Sequence, residues 1–559
     1  MTTTNNSNDA RVPTAIDAIA EDWVTTLADL SPTLATYIGL DNGKTGEWED
    51  FSPEGHVALQ EAGAAVIARL EAAEVADDVD WVTKTDLLSD LRVEADKYNA
   101  GFHLRDVNVI ASPVQSVREI FDIMPTSTEK DWSDVSSRLN GIPAALDGYI
   151  QTLRVGIEQG VVPAARQVRE VIEQARSTAD PKGLFAELAD GATDVSPGLA
   201  SDLRKGAAAS AAAYGALTEF FQNELLPVAG SRDAVGREIY EIASRSHVGA
   251  TIDLDETYEW GIEELRRMVE EQTSIANEIK PGASVDEAVA FLDQDASRKL
   301  HGTDALQKWM QQTSDHAITE LSKSHFDIPA EVRTLECMIA PSHTGIIYYT
   351  GPTDDFSRPG RMWWSVPEGV TEFDTWRELT TVYHEGVPGH HLQIGQSVYN
   401  RKTLNSWRRL LAGSSGHAEG WALYAERLME ELGYLDDPAD RLGMLDGQRM
   451  RAARVVLDIG VHLEKPLPDG SGTWTGDYAF DFMGKNVNMN DSFVKFEVNR
   501  YLGWPGQAPS YKVGQRIWEQ IRDEYKEREG DAYDPKAFHK KALDLGGVGL
   551  DTLKSALLK

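Results

Sequence analysis

Residues 383–393 read Tyr383-His384-Glu385-Gly386-Val387-Pro388-Gly389-His390-His391-Leu392-Gln393. Three of the thirteen histidines in the chain fall here, and Glu385 directly follows the first. Neutral imidazoles and carboxylates are ligands that zinc takes, and a catalytic site leaves a fourth position for water. The ordinary helical arrangement is H-E-x-x-H, in which two histidines one turn apart share a face. Here the second histidine position is Pro388. The six-residue step to His390 points the two side chains to different faces of a straight helix. The seven-residue step to His391 restores the face but separates the rings by roughly 10 Å. Pro388-Gly389 is where a helix deforms. A π-like bulge there would return one of the two histidines to the metal. On these residues alone the second ligand is His390 or His391.

A third ligand stands downstream in SGHAEGWALYAERL, residues 415–428, where Glu419 precedes an apolar run containing Trp421, Leu423, Tyr424 and Leu428. The pattern predicts a helix beginning near His417. A carboxylate on an adjacent helix completes a three-ligand site. A lone core histidine is ordinarily just hydrogen-bonded. That reading leaves the histidine cluster, the adjacent Glu385, the Pro-Gly break and the second acidic helix unexplained. Glu385 is the expected general base, taking a proton from water activated at the metal. Zinc is the expected ion, although cobalt and manganese accept the same ligands.

Two further segments carry polar groups on apolar helices. Arg454, Asp458 and His462 recur at four-residue steps, so they share one stripe. Asp458 is expected to orient a metal ligand by hydrogen bond, and His462 to bind substrate or stabilise developing charge. Glu497, Arg500, Tyr501 and Tyr511 surround a Pro-Gly turn. A tyrosine can stabilise an oxyanion, and an arginine can hold a carboxylate. Arg358 and Arg361 read more simply as charges on a turn.

Outward from this region the patterning is mainly α. Apolar residues recur at three- and four-residue spacings over 15–30, 56–75, 80–101, 132–160, 161–178, 201–226, 254–278 and 304–323. Ser284 with Glu287 forms a capping box for another helix. Ile346–Tyr349 and Met362–Val366 are β-branched and aromatic around a polar turn, so a small hairpin or sheet precedes the histidine segment. One large helical domain over 1–559 is expected, in two lobes around a cleft. Residues 1–330 would form the cleft wall and 331–559 the metal and substrate part.

With a single cysteine, Cys337, no intramolecular disulfide is available, which suits a reducing cytosol. The N-terminal residues lack a basic start and an apolar run, and no stretch reaches the roughly 18 apolar residues of a membrane span. A cytoplasmic location is therefore expected. The net charge of −36 disfavours nucleic acid and anionic membrane surfaces; it suits cationic ligands, but it reads more simply as the acidic surface of a soluble enzyme and says little about the reaction.

The ordered set YYTGPTDDFSRPG (348–360), YHEGVPGHHLQ (383–393), EGWALY (419–424), RAARVVLDIGVH (451–462) and RYLGWPGQAPSYKVG (500–514) resembles the "domain of unknown function" family 885. The resemblance covers nearly the whole chain. That family is similar in fold to Taq-type zinc carboxypeptidases and more distantly to angiotensin-converting-enzyme-like metallopeptidases. The resemblance implies a deep helical cleft with one zinc ion at its floor. It implies His384, His390 and Glu419 as ligands, Glu385 as base and Tyr511 facing the scissile carbonyl. It also implies an edge strand around Tyr349 that pairs with peptide. With it, Tyr349, His391, Arg500 and Tyr501 are expected to bind substrate.

The function expected is a zinc-dependent hydrolase of the carboxypeptidase-like metallopeptidase type, acting on short peptides. A zinc hydrolase of non-peptide amides or esters is the nearest alternative. An inactive, metal-free peptide-binding scaffold is the alternative from another class.

Overall fold

The computed structural model describes residues 11–342 and 347–559. The architecture is mainly α with two small sheets. The helices predicted from periodicity are present, among them Ala15–Leu30, Glu129–Gln159, Leu254–Ile279 and Thr303–Ser324. Ser284 and Glu287 make the expected reciprocal cap of Val285–Leu292.

Three apolar clusters organise the packing. One is built from residues between Val107 and Leu225. A second joins the N-terminal helices to Trp407. The largest gathers most of the helices after Tyr240. Leu254–Ile279 and Thr303–Ser324 precede residue 330 in the chain, yet both pack into this last core with the helices that carry His384, His390 and Glu419.

The larger sheet has three strands in the order Leu335–Ile339, Gly360–Trp364, Ile347–Thr350. The first pair is parallel and the second antiparallel, with Tyr349 opposite Met362. The predicted hairpin is thus formed, and Ile346 lies outside the described residues. Arg358 closes its turn onto the Gly351 carbonyl at 2.8 Å, and Arg361 pairs with Glu336 on the neighbouring strand at 2.7 Å. Both arginines are therefore committed within the sheet region. A second, two-stranded sheet pairs Lys299–His301 with Glu372–Asp374. The first histidine helix, Thr375–Glu385, leaves directly from it.

Candidate metal centre

The helix Thr375–Glu385 stops at Glu385, and a new helix, His390–Tyr399, starts at His390. The expected π-like bulge is instead a complete break, with a cis Val387-Pro388 bond between the helices. Gly389 donates its N–H to the Tyr383 carbonyl at 3.1 Å, so the chain folds back on the end of the first helix. A side chain at Gly389 would sit 1.9 Å from the His384 carbonyl oxygen, so only glycine fits this return. The fold-back brings the His384 and His390 rings edge to face, with centroids 4.9 Å apart.

The helix Ser415–Glu431 clasps that turn. The indole N–H of fully buried Trp421 donates to the carbonyls of Pro388 at 2.9 Å and Gly389 at 3.2 Å. Glu419 lies two residues earlier on the same helix. Its Oε2 is 3.3 Å from His384 Nε2 and 3.7 Å from His390 Nε2. The three residues each place a ligand atom within 4.8 Å of the others.

These distances fit a shared cation. Two ligand atoms about 2.05 Å from a tetrahedral zinc stand roughly 3.3 Å apart. Glu419 Oε2 is buried and makes no hydrogen bond among the described residues. Burial alone would raise the Glu419 pKa, but its interactions with His384 and His390 hold it well below the usual range. Burial alone would likewise lower His384, and Glu419 and Glu426 instead raise it to about 10. The cluster therefore calls for positive charge between its nitrogens and carboxylate, which a proton or a divalent cation supplies.

His391 is spoken for elsewhere. Its Nε2–H donates to the Val332 carbonyl at 2.7 Å, and its Nδ1 accepts from Tyr349 Oη at 2.9 Å. Burial lowers its pKa to about 4, which keeps the ring neutral. Gly360 makes room for this contact: a Cβ there would lie 2.1 Å from Tyr349 Oη. The expected substrate-binding roles of His391 and Tyr349 are thus corrected to a tether between the sheet and the second histidine helix. Of the two histidines, His390 is the one at the metal cluster.

The partner that orients His384 is Glu426, which sequence reading missed. Its Oε1 accepts from His384 Nδ1 at 2.7 Å, leaving the Nε2 lone pair toward Glu419 and His390. Glu426 lies seven residues after Glu419, hence on the same helix face, and that spacing was the available signal. Its other oxygen accepts from Gln448 at 3.2 Å, and Gln448 accepts from Lys512 at 2.7 Å. Lys512 pairs with Glu264 at 3.0 Å. A buried polar chain therefore runs from the metal cluster to the helix Leu254–Ile279.

Asp458 does not orient a metal ligand. It accepts from Tyr240 Oη at 2.7 Å and from the Gly506 N–H at 2.8 Å, anchoring the turn before the helix Gln507–Glu529. His462, one turn further and fully buried, bonds to the Tyr501 carbonyl at 3.1 Å and packs on Tyr240. Eight residues of helix span about 12 Å. The stripe therefore meets different neighbours at each turn, and only its Arg454 end reaches Tyr511, at 5.2 Å from the ring centre.

Arg500 and Tyr501 are buried in an ionic cluster and are not presented to a substrate. Glu497 accepts from Arg454 at 2.8 Å, from Arg500 at 2.9 Å and from the Tyr501 hydroxyl. Arg500 also donates to Gln507 at 2.7 Å. Tyr511 is different. Burial and then the charge of Glu419 raise its phenol pKa. Its ring lies under Arg454 and, at 5.9 Å, Arg451. Arg451 makes no hydrogen bond or ion pair among the described residues, and its Nε is buried and unpartnered. Glu385, only 7 % exposed, also keeps its carboxylate free of hydrogen bonds among the described residues.

The position of Tyr511 follows from glycine. A Cβ on Gly420 would lie 2.4 Å from the Gly514 carbonyl carbon, and one on Gly514 would lie 2.2 Å from the Gly416 carbonyl oxygen. The helices Ser415–Glu431 and Gln507–Glu529 thus cross backbone against backbone, which sets the helix of Tyr511 directly on the helix of Glu419.

The model of a family described as bacterial proteins of unknown function matches residues 32–557, which include this centre. The chain belongs to that family, DUF885. Two solved structures share the DUF885 chain's fold. One is described as a "putative lipoprotein" from Colwellia psychrerythraea, with TM-score 0.84 and 22% identity, over 98% of this chain and 99% of that one. The other, a "putative lipoprotein of unknown function" from Shewanella oneidensis, has TM-score 0.76 and 18% identity, over 98% and 100%. No curated protein matches the chain. No helix among the described residues is long and apolar enough to cross a membrane.

Proposed function

We propose that this protein is a zinc-dependent hydrolase of the metallopeptidase type that trims short peptides, in a fold related to the Taq-type carboxypeptidases. The observation that carries the reading is the meeting of His384 Nε2, His390 and Glu419 beside an uncommitted Glu385. When bound by these three residues, zinc supplies Lewis acidity toward a carbonyl and lowers the pKa of water toward ~7.

The remaining work falls to the chain. Glu385 takes a proton from the attacking water and delivers it to the leaving amine. The Tyr511 hydroxyl donates to the oxyanion that develops on the scissile carbonyl. Glu426 holds His384 in the tautomer that directs Nε2 to the ligand cluster. Arg451, whose charge reaches Glu426 but which forms no ion pair or hydrogen bond among the described residues, is suited to the terminal carboxylate of a peptide. Its place against Tyr511 favours removal of residues from the carboxyl end. The lone buried thiol, Cys337, suits a cytoplasmic location.

The test is metal content by mass spectrometry together with hydrolysis of peptides bearing free or amidated carboxyl ends. Near-stoichiometric zinc, with Glu385→Gln keeping zinc and losing turnover, supports the proposal. Absence of zinc after add-back, or unchanged turnover in Glu385→Gln, rejects it. Equal cleavage of free and amidated peptides would reject only the carboxyl-end assignment.

A further inference from the structure

A cavity of about 860 Å³ lies between the N-terminal helices and the Leu502–Pro505 turn. None of His384, Glu385, His390, Glu419, Glu426 or Tyr511 lines it. Its volume falls in the range of roughly 300–1,000 Å³ typical of small-molecule sites. Part of its wall is aromatic: Tyr98 stacks on His103 with centroids 4.6 Å apart, and Trp504 meets His247 edge to face at 5.4 Å. Burial lowers His103 to about 4 and His247 to about 3, so both rings are neutral at pH 7.

The charged groups of the wall are unevenly satisfied. Lys97 bonds Glu94 at 2.8 Å, Arg232 pairs with Glu464 at 3.1 Å, and Arg105 donates to the Ala100 carbonyl at 3.0 Å while lying over Phe102. Asp233 is held by Arg166 at 3.0 Å. By contrast, Asp90 makes no hydrogen bond or ion pair among the described residues. The Asp106 carboxylate has only a 3.5 Å contact from the Asn108 amide. Gln167, 2 % exposed, leaves its Oε1 without a partner among the described residues. Two carboxyl groups, which burial raises to about 7 against the opposing charge of Lys97, and an amide oxygen thus offer acceptors with no close hydrogen-bonded donor, and a bound cation would hold both carboxyls ionised. A protonated amine carries three donors and no acceptor. Aromatic faces beside it add cation–π attraction.

We propose that this cavity is a binding site for a small organic cation, a protonated amine carried on an aromatic or aliphatic body. The site is separate from the metal centre and does not depend on the reading of that centre.

The experiment titrates the full-length protein with tyramine and with 4-hydroxyphenylacetate, its carboxylate counterpart. Binding is followed by calorimetry and by tryptophan fluorescence, since Trp23 and Trp504 line the cavity. Saturable one-site binding of tyramine is expected, with the carboxylate at least about tenfold weaker. The double variant Asp90→Asn, Asp106→Asn should lose about tenfold in tyramine affinity. Asp90→Asn alone serves if the double variant does not fold. His390→Ala should bind tyramine as the wild type does. The proposal is overturned if tyramine does not saturate by about 10 mM, or if the carboxylate binds as well. Binding that survives the aspartate variants but is lost in His390→Ala would also overturn it, by placing the amine at the metal centre.

Discussion

The Glu426 carboxylate accepts the Nδ1–H of His384 at 2.7 Å while Glu419, two helical turns earlier, stands 3.3 Å from Nε2 of the same ring. One helix face therefore supplies both a ligand and the group that fixes the tautomer of another ligand. Glu426→Gln should weaken zinc affinity by about 10–100-fold. The global unfolding transition should change far less. Competition against a chromogenic chelator measures the first quantity and circular dichroism melting the second. Unchanged zinc affinity would remove Glu426 from the site.

Substitution of each histidine separates ligand from tether. His390→Ala is expected to abolish stoichiometric zinc. His391→Ala should retain it but lose stability, because the Val332 carbonyl and the Tyr349 hydroxyl lose their buried partner, at about 1–3 kcal/mol for each unsatisfied group. Metal analysis and urea denaturation of both variants make the comparison. Zinc lost only in His391→Ala would reverse the assignment.

Trp421→Phe removes the indole N–H from the Pro388 and Gly389 carbonyls while leaving an aromatic ring in the core. A loss of about 1–3 kcal/mol is expected in urea unfolding. Zinc affinity should fall as well, because the turn that positions His390 is released. Retention of both would mean that the turn holds itself.

Stability is expected to fall along an acid limb. His539 accepts from Tyr424 Oη at 2.8 Å through Nε2 and donates to the His325 carbonyl at 3.1 Å through Nδ1, so it is held neutral. Burial lowers its pKa to about 3. A depressed histidine contributes stability that is present above its unfolded value near 6.5 and is lost as pH falls toward 3, because the unfolded chain binds the extra proton. His539→Gln should be less stable at pH 7 yet show a flatter loss between pH 6.5 and 4. Urea midpoints across that range provide the check, and parallel curves would exclude His539 as a source of the limb.

Much of the fold could be read from periodicity, because helices such as Leu254–Ile279 and Thr303–Ser324 carry apolar faces with clear turn signals between them. The meeting of His384, His390 and Glu419 was legible for a different reason: few residue types can bind a metal, and they cluster around a helix break. Arg451 was not, since a single arginine on a helix has no mark to distinguish an inward charge from a solvated one, and Glu426 carried only its seven-residue step from Glu419, which names a helix face without saying what that face meets. Asp458 and His462 illustrate the converse. Their four-residue spacing correctly placed them on the buried face of Pro438–His462, but spacing along a helix does not say which neighbour each turn meets. The ionic cluster of Arg454, Glu497, Arg500 and Tyr501 depends on contacts between separate helices, which local pattern does not encode.

The crossing at Gly416, Gly420 and Gly514 has one more consequence. Where two helices touch through side chains, each accepted core substitution shifts the joint a little, and lineages wander in geometry as they wander in sequence. Here the closest approach is glycine backbone on glycine backbone, with Ser415 on Ser510 and Trp421 on Trp518 packed beside it. Sequence drift in the surrounding core can then alter how firmly the molecule holds together without altering how closely these two helices approach. Robustness of the scaffold and constancy of the helix crossing are, at this joint, inherited separately.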